Sequence, residues 1–285
     1  MWTTRRATAA DLAAIQRLFL ELGVPDPPPD AAELAERMLP RVIVACRGGG
    51  DAEVVGYAHW RIYGPTAHVA HVVAAPDVRR LGVGRTLMEA VREAVTAEGC
   101  TRWYLNVKRD NAPARRLYEQ HGMAVEHETW ALRIAWAQIE GLAADSAAAD
   151  GAAADSAAAD GAAAVAYAPG PDEDAGIAAR FALDTGRLAS LRARPGMVML
   201  ALREDGATAG CAAFDPRFPG AAVFCAARPG LARPLLDACR AHADPTRPSF
   251  IRLAVERDRA LVDALVAAGA EITLEILQLG ATLCG

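Results

Sequence analysis

Hydrophobic positions along the first half of the chain change period several times, and each change marks an element. Trp2–Arg6 has the alternation of a short strand. Leu12, Ile15, Leu18, Phe19 and Leu22 form one helical stripe, with Thr8 or Asp11 as N-cap. Pro25 to Pro29 interrupts the pattern, and Asp30–Leu39 predicts a second short helix stopped by Pro40. Val42–Cys46 and Val54–Ile62 read as a hairpin across Gly48-Gly49-Gly50-Asp51. A strand over Ala67–Ala75 ends at Pro76, a helix over Gly84–Glu98 ends at Gly99, and a strand follows over Trp103–Val107. Pro113–Gln120 is a helix ended by Gly122, and Ala124–Ile134 returns as extended chain. The order β-α-α-β-β-β-α-β-α-β predicts a mixed α/β unit with a single sheet.

Composition changes this picture in one place. Ala144–Ala153 recurs residue for residue as Ala154–Ala163, with no apolar side chain larger than a methyl group. Such a segment cannot build a core and reads as a solvated tether. The expected organisation is therefore a first domain over 1–140, a low-complexity linker over 141–164 and a second domain over 165–285. The tether also carries most of the charge. The chain has 30 basic and 35 acidic residues and a net charge of -5. Residues 1–143 are balanced and 164–285 are at -1, leaving -4 for the four aspartates of the repeat. With neither half positive and arginine spread evenly, nucleic acid is not an expected partner. No stretch approaches the ~20 apolar residues of a membrane helix, and the N-terminus lacks the apolar core of a signal peptide. Six scattered cysteines without a CxxC pair point to reduced thiols in a cytoplasm and to no metal site.

The candidate chemistry lies between His68 and Met88. There a strand runs through a loop with Gly82 and Gly84 directly into a helix. Unpaired amides and the positive dipole end of a helix N-terminus suit a diphosphate, glycine permits close backbone approach, and Arg79, Arg80 and Arg85 add positive charge. A glycine-containing strand–helix turn with surface arginines fits the same residues.

Arg79-Arg80-Leu81-Gly82-Val83-Gly84 resembles the Arg/Gln-x-x-Gly-x-Gly/Ala signature of the GCN5-related N-acetyltransferase (GNAT) superfamily. A second family element matches as well: the strand Tyr104-Leu105-Asn106-Val107, then Asn111-Ala112-Pro113-Ala114-Arg115-Arg116-Leu117-Tyr118. The resemblance spans residues 1–134. It implies that acetyl-CoA is the acyl donor and lies where the strands at 68–75 and 103–107 splay apart. Backbone groups at Val73 and Ala74 would meet the pantetheine. Arg79 and the amides of Arg80, Leu81, Gly82, Val83, Gly84, Arg85 and Thr86 would hold the diphosphate. Asn111 would touch the cofactor arm and Asn106 would face the cleft.

The implied reaction is direct attack of an amine on the thioester, with an amide near Val73 stabilising the oxyanion. Tyr118, near the sulfur, would protonate the leaving thiolate. His68, eleven residues before Arg79, occupies a strand position where some family members carry a catalytic Glu or His. A histidine with an ordinary pKa near 6.5 suits base work; bound water is the alternative base. Strict alternation puts His68, Ala70 and Val72 on one face and Val69, His71 and Val73 on the other. On that pattern His71 packs beneath helices, His59 or Trp60 faces substrate, and His121 and His127 lie at the surface or a strand end.

The second half reads as a worn copy of the first at a constant offset of 148. Leu253-Ala254-Val255-Glu256 parallels Leu105-Asn106-Val107-Lys108, and Gly230-Leu231-Ala232-Arg233 parallels Gly82-Val83-Gly84-Arg85. Apolar positions are kept, but Tyr118 is matched by Val266, Asn106 by Ala254 and Asn111 by Arg259. Pro229 and Pro234 remove amides from the matching cradle. The expected fold is thus two GNAT-like domains, each a mixed, mainly antiparallel sheet flanked by helices, with the second non-catalytic. The expected activity is acetyl transfer to the primary amine of a small molecule. A protein lysine or N-terminal amine is the alternative acceptor, and a non-catalytic acyl-CoA-binding scaffold is the alternative class.

Overall fold

The computed structural model describes residues 2–23, 27–48, 53–142, 164–246 and 249–283. Its chain divides into two compact units: Met1–Glu126 with Leu277–Gly285, and His127–Ile276. The repeat at 144–163 lies outside the described residues, as does all of the expected linker except 141, 142 and 164.

In the first unit β1 (Trp2–Arg6) leads to α1 (Leu12–Phe19) through a turn built around Asp11. The buried Asp11 carboxylate accepts the Thr8 N–H at 2.8 Å and both arms of Arg5 at 2.8 Å. Those hydrogen bonds from Arg5 hold its pKa below the usual carboxylate range. A tight turn over Leu20–Leu22 follows, closed by Gly23 at φ +60°. Asp30 caps α2 (Ala31–Glu33), which continues as a wider turn over Leu34–Met38. Next come β2 (Val42–Arg47), β3 (Val54–Tyr63), β4 (Thr66–Ala74), α3 (Val83–Ala97), β5 (Arg102–Lys108) and α4 (Ala112–Gln120). The sheet runs β1-β2-β3-β4-β5, with every neighbouring pair antiparallel except β4 and β5, which are parallel.

Each face of this sheet carries its own core. Ile15 and Leu18 of α1 pack with Val44, Tyr57 and Val73 on one face. Val83, Leu87, Met88 and Val91 of α3 and Tyr118 of α4 pack with Trp60, Val69, Trp103 and Leu105 on the other. Gly56 lets α3 approach the sheet this closely. A Cβ there would stand 2.7 Å from the Val73 carbonyl oxygen and 2.9 Å from Val83 Cγ1.

The division differs from the expected 1–140 and 165–285. The strand β6 (Ala124–Ala135) lies mostly in the second unit, where Thr129–Ala135 pairs with β11 (Phe250–Glu256) and buries Trp130, Leu132 and Ile134. The last strand, β12 (Glu271–Thr282), passes into the first unit at Leu277. There Leu277, Leu279 and Leu283 bury in the α3-side core and the Leu283 N–H donates to the Thr101 carbonyl at 2.8 Å. Alternation in a sequence reveals which side chains of a strand are buried but not which edge the strand joins. For the same reason His127, expected at the surface or a strand end, is buried within β6, its Nε2 3.8 Å from a Glu256 carboxylate oxygen.

The second unit repeats the plan. It contains β7 (Val165–Tyr167), α5 (Asp174–Arg180), α6 (Arg187–Arg192), β8 (Val198–Glu204), β9 (Ala207–Asp215), β10 (Gly220–Ala226) and α7 (Ala232–Arg240). After β11 come α8 (Arg259–Ala267) and the start of β12. Strand order is β12-β6-β11-β10-β9-β8-β7, with β10 and β11 parallel. The offset between the halves is not constant. Leu253 matches Leu105 at 148, whereas Ala221, its parallel partner, matches Val69 at 152. The loop joining β10 to α7 is correspondingly shorter than the one joining β4 to α3.

Candidate active site

In the first unit the parallel ladder between β4 and β5 runs from Thr66–Arg102 to Val69–Leu105 and stops. Beyond it β4 stays paired only with β3, and a gap opens between the two strands. One irregularity in the β3–β4 ladder, between His59 and Trp60, leaves Ala70 as an extra residue just where the gap begins. This bulge breaks the strict alternation predicted for β4. Ala67 and Val69 face α3 before it, and Val72 and Ala74 do so after it. His68 and His71 consequently share the opposite, α1-side face.

The bulge also decides which amides face the gap. Ala75 donates to the Val55 carbonyl at 2.8 Å, so with the register Gly56↔Ala74 and Tyr57↔Val73 the hydrogen-bonded rungs fall on Val73 and His71. The backbone of Val73, expected to meet the pantetheine, is turned into the β3 ladder. The backbone groups turned the other way, toward the gap, are those of Val72 and Ala74. Ala74, the second expected contact, thus keeps its orientation, although its carbonyl accepts from Arg79 Nε at 3.3 Å.

Below the gap lies the glycine loop. Gly82 is the N-cap of α3 at φ +92°, and Arg80 takes the left-handed region at φ +64°. Not every amide from Arg80 to Thr86 is available. That of Leu81 donates to Val78 at 3.3 Å and that of Thr86 to Gly82 at 3.0 Å. The amides of Gly82, Val83, Gly84 and Arg85 have no partner within the helix, as expected for a first turn. Two of the arginines are already engaged: Arg79 with Glu21 at 2.6 Å and Arg85 with Glu89 at 2.9 Å. Gly84 has a packing reason too, since a Cβ there would stand 2.9 Å from Leu117 Cδ2 of α4.

The two expected catalytic side chains lie on opposite faces of the sheet. Tyr118 is in the α3-side core, and among the described residues its hydroxyl has no hydrogen-bond partner. Burial pushes its pKa up to about 12. His68, paired with Tyr104 across the ladder, stacks on the Tyr104 ring at 4.7 Å and 8° and lies 6.5 Å from the Tyr63 ring. The gap is the passage between these two faces. Asn106 is exposed on the α1 side just past the last rung, and Asn111 caps α4, its side-chain oxygen accepting from the Ala114 N–H at 3.2 Å.

The remaining histidines divide in a way the sequence did not reveal. Trp60 is in the α3-side core, so of the pair only His59 lies on the α1 side, and it is buried. Among the described residues neither ring nitrogen of His59 has a hydrogen-bond partner. Its ring lies 5.3 Å from that of His71, whose Nδ1 is 3.2 Å from the Tyr57 hydroxyl and whose edge meets Phe19. Burial first, then His71, lowers the His59 pKa to about 2, and burial lowers that of His71 to about 4. Both are neutral at pH 7.

Sequence reasoning missed four residues near the gap: Trp2, Glu21, Val72 and Lys108. Trp2 Nε1 donates to the Leu81 carbonyl at 2.7 Å, and Lys108 Nζ reaches the Gly23 carbonyl at 3.2 Å. None carries a local motif, and each contact joins positions far apart in the chain.

The second unit repeats the bulge, at Ala222, but not the site. Its helix α7 begins after Leu231 in the right-handed region, with no left-handed glycine cap. Beside the gap, Arg187 pairs with Glu256 at 2.7 Å and donates to the Ala222 carbonyl at 3.2 Å. Past β11 the offset falls to 147, since Asp258 caps α8 as Asn111 caps α4. The buried Leu265, and not the Val266 matched from the sequence, therefore stands at the Tyr118 position, and Asp258, not Arg259, at that of Asn111.

The acetyltransferase (GNAT) family model matches residues 10–123. Among solved structures, a protein of Pyrococcus horikoshii superposes with a TM-score of 0.67 at 14% identity, covering 99% of this chain and 89% of that one. A GCN5-related N-acetyltransferase from Sphaerobacter thermophilus gives 0.66 at 18% identity, covering 100% and 96%. A tandem GNAT protein from the clavulanic acid biosynthesis pathway gives 0.59 at 18%, covering 100% and 99%. At these identities the likeness is one of fold. No curated protein matches the chain in sequence.

Proposed function

We propose, for a chain whose residues 10–123 match the acetyltransferase (GNAT) family model, that the first unit transfers an acetyl group from acetyl-CoA to the primary amine of a small molecule. The observation that carries this reading is the gap after Val69–Leu105, with first-turn amides of α3 below it and His68 and Tyr118 on opposite faces. The amides of Gly82, Val83, Gly84 and Arg85, with Arg80, suit a diphosphate. The gap-facing groups of Val72 and Ala74 suit the amide-bearing pantetheine arm. The thioester supplies an activated acetyl group.

The chain's own residues account for the proton movements. On the α1 side, His68 or a water beside it takes the proton of the amine. An N–H turned into the gap, that of Val72 in place of Val73, donates to the acyl oxygen as negative charge grows there. On the α3 side, the Tyr118 hydroxyl gives its proton to the departing sulfur. With a pKa near 12 it remains protonated at neutral pH, and it is a weaker acid than an ordinary thiol near 8.5. Its proton transfer is therefore driven by charge building on the sulfur in a dry site. The second unit, without the glycine cap and the tyrosine, has a structural part in this reading.

The α1-side surface around the gap argues against a strongly cationic acceptor. It presents His68, Asn106 and Lys108 above the buried Tyr104, and Glu21 there is already paired with Arg79. The test is thiol release from acetyl-CoA by the full chain against a library of primary amines, beside calorimetric titration with CoA. Turnover with at least one small amine supports the reading. Binding of CoA with no turnover on any amine or peptide leaves the scaffold alternative standing.

A further inference from the structure

We propose that Trp2 is a positioning residue of the diphosphate site: its indole N–H holds the peptide plane that aims the Gly82 amide at the acyl donor. The inference rests on the function proposed above. The Trp2 Nε1–Leu81 O bond, at 2.7 Å, links β1 to the glycine loop across 79 residues of sequence. In a trans peptide the carbonyl of one residue and the N–H of the next point in opposite directions. Fixing the Leu81 carbonyl on Trp2 therefore turns the Gly82 N–H away from β1.

That peptide plane has little else to fix it. It joins Leu81, which follows Arg80 at φ +64°, to Gly82 at φ +92°, and a Cβ on Gly82 would meet nothing within 4 Å. Glycine tolerates either sign of φ, so the plane before Gly82 can rotate at low cost unless an outside group holds it. The neighbouring planes are fixed otherwise: the Leu81 N–H donates to Val78, and the Thr86 N–H and hydroxyl both donate to the Gly82 carbonyl. The Leu81 carbonyl is the group left for Trp2. Leu81 itself is an exposed aliphatic, so its side chain does not anchor the loop. The Trp2 ring packs against the α3-side core, which gives the donor a defined position.

The experiment compares two acyl donors on the full chain. Acetyl-CoA carries the diphosphate; S-acetylpantetheine carries the same thioester without it. Trp2→Phe keeps an aromatic ring and removes the N–H. Loss of one neutral hydrogen bond is expected to raise KM for acetyl-CoA about three- to tenfold, with kcat unchanged and KM for S-acetylpantetheine unmoved. Replacing Trp2 by benzothienylalanine, which puts sulfur where the indole has N–H at almost the same shape, gives the same split should Trp2→Phe unfold. An unchanged KM for acetyl-CoA overturns the inference, and so does an equal rise for both donors, which marks a purely structural tryptophan. A wild-type chain that neither binds CoA nor uses either donor instead overturns acetyl transfer itself.

Discussion

Replacing Tyr118 by Phe removes one atom from a side chain that is 8% exposed and packed between α3, α4 and β5. Among the described residues that oxygen has no partner, so no buried donor or acceptor is orphaned and no cavity of consequence forms. The change in folding stability is expected to stay within about 0.5 kcal/mol. The effect on chemistry is different in kind. A positioned general acid contributes about 10²–10⁴ in rate, which corresponds to about 3–5 kcal/mol of barrier. Tyr118→Phe should therefore lower kcat at least a hundredfold while the melting temperature stays within about 2 °C and CoA affinity is kept. The raised pKa adds a second signature: the wild-type kcat should show no alkaline fall assignable to Tyr118 below about pH 10. Thiol release under saturating donor, with calorimetry and thermal melts on the same samples, reads all three quantities. A Tyr118→Phe enzyme that keeps kcat within twofold of wild type refutes the acid role and makes Tyr118 a core residue only.

Three further outcomes follow from the geometry. Gly82→Ala meets no steric obstacle but forces an alanine to φ +92°, so it should cost about 1–2 kcal/mol in urea melts and raise KM for acetyl-CoA; unchanged values would show that the left-handed cap is not required. Gly56→Ala places a methyl 2.7 Å from a ladder carbonyl and should destabilise by about 1–3 kcal/mol; a neutral effect would contradict the close approach of α3. The buried His59 predicts acid sensitivity. Its folded pKa, about 2, lies below the unfolded value near 6.5, so the unfolded chain binds the extra proton between them and stability falls as pH drops below 6.5. At pH 4.5 this amounts to about 3 kcal/mol, and denaturant melts of His59→Gln should show a smaller loss between pH 7.5 and 4.5 than wild type. Equal losses would mean that another group governs the acid limb.

Local chemistry was legible in the sequence, and partner choice was not. Trp2–Arg6 is the strand expected, and Arg102–Lys108 extends the expected 103–107 by one residue at each end, because period-2 alternation is a property of the segment itself. The glycine loop was readable for the same reason, as a strand–loop–helix turn open to a ligand, whereas the left-handed cap at Gly82 and the contact of Gly84 with Leu117 are visible only in the structure. The exchange of β6 and the end of β12 between units was not readable, since Leu132 or Leu279 buries equally well against either sheet. Neither was the bulge at Ala70, a small residue in a regular run of apolar ones, and that single insertion moves His71 to the face of His68 and replaces Val73 by Val72 at the gap. The shortened loop before α7 was hidden by matching the halves without a gap.

The most direct test of acetyl transfer by the first unit is single-turnover acetylation followed by mass spectrometry, with stoichiometric full-length protein, isotopically labelled acetyl-CoA and a pooled set of small primary amines. The predicted result is label on an amine product together with one equivalent of free CoA, formed at least a hundredfold more slowly by Tyr118→Phe. Label that never leaves acetyl-CoA in the presence of any of the amines would contradict it.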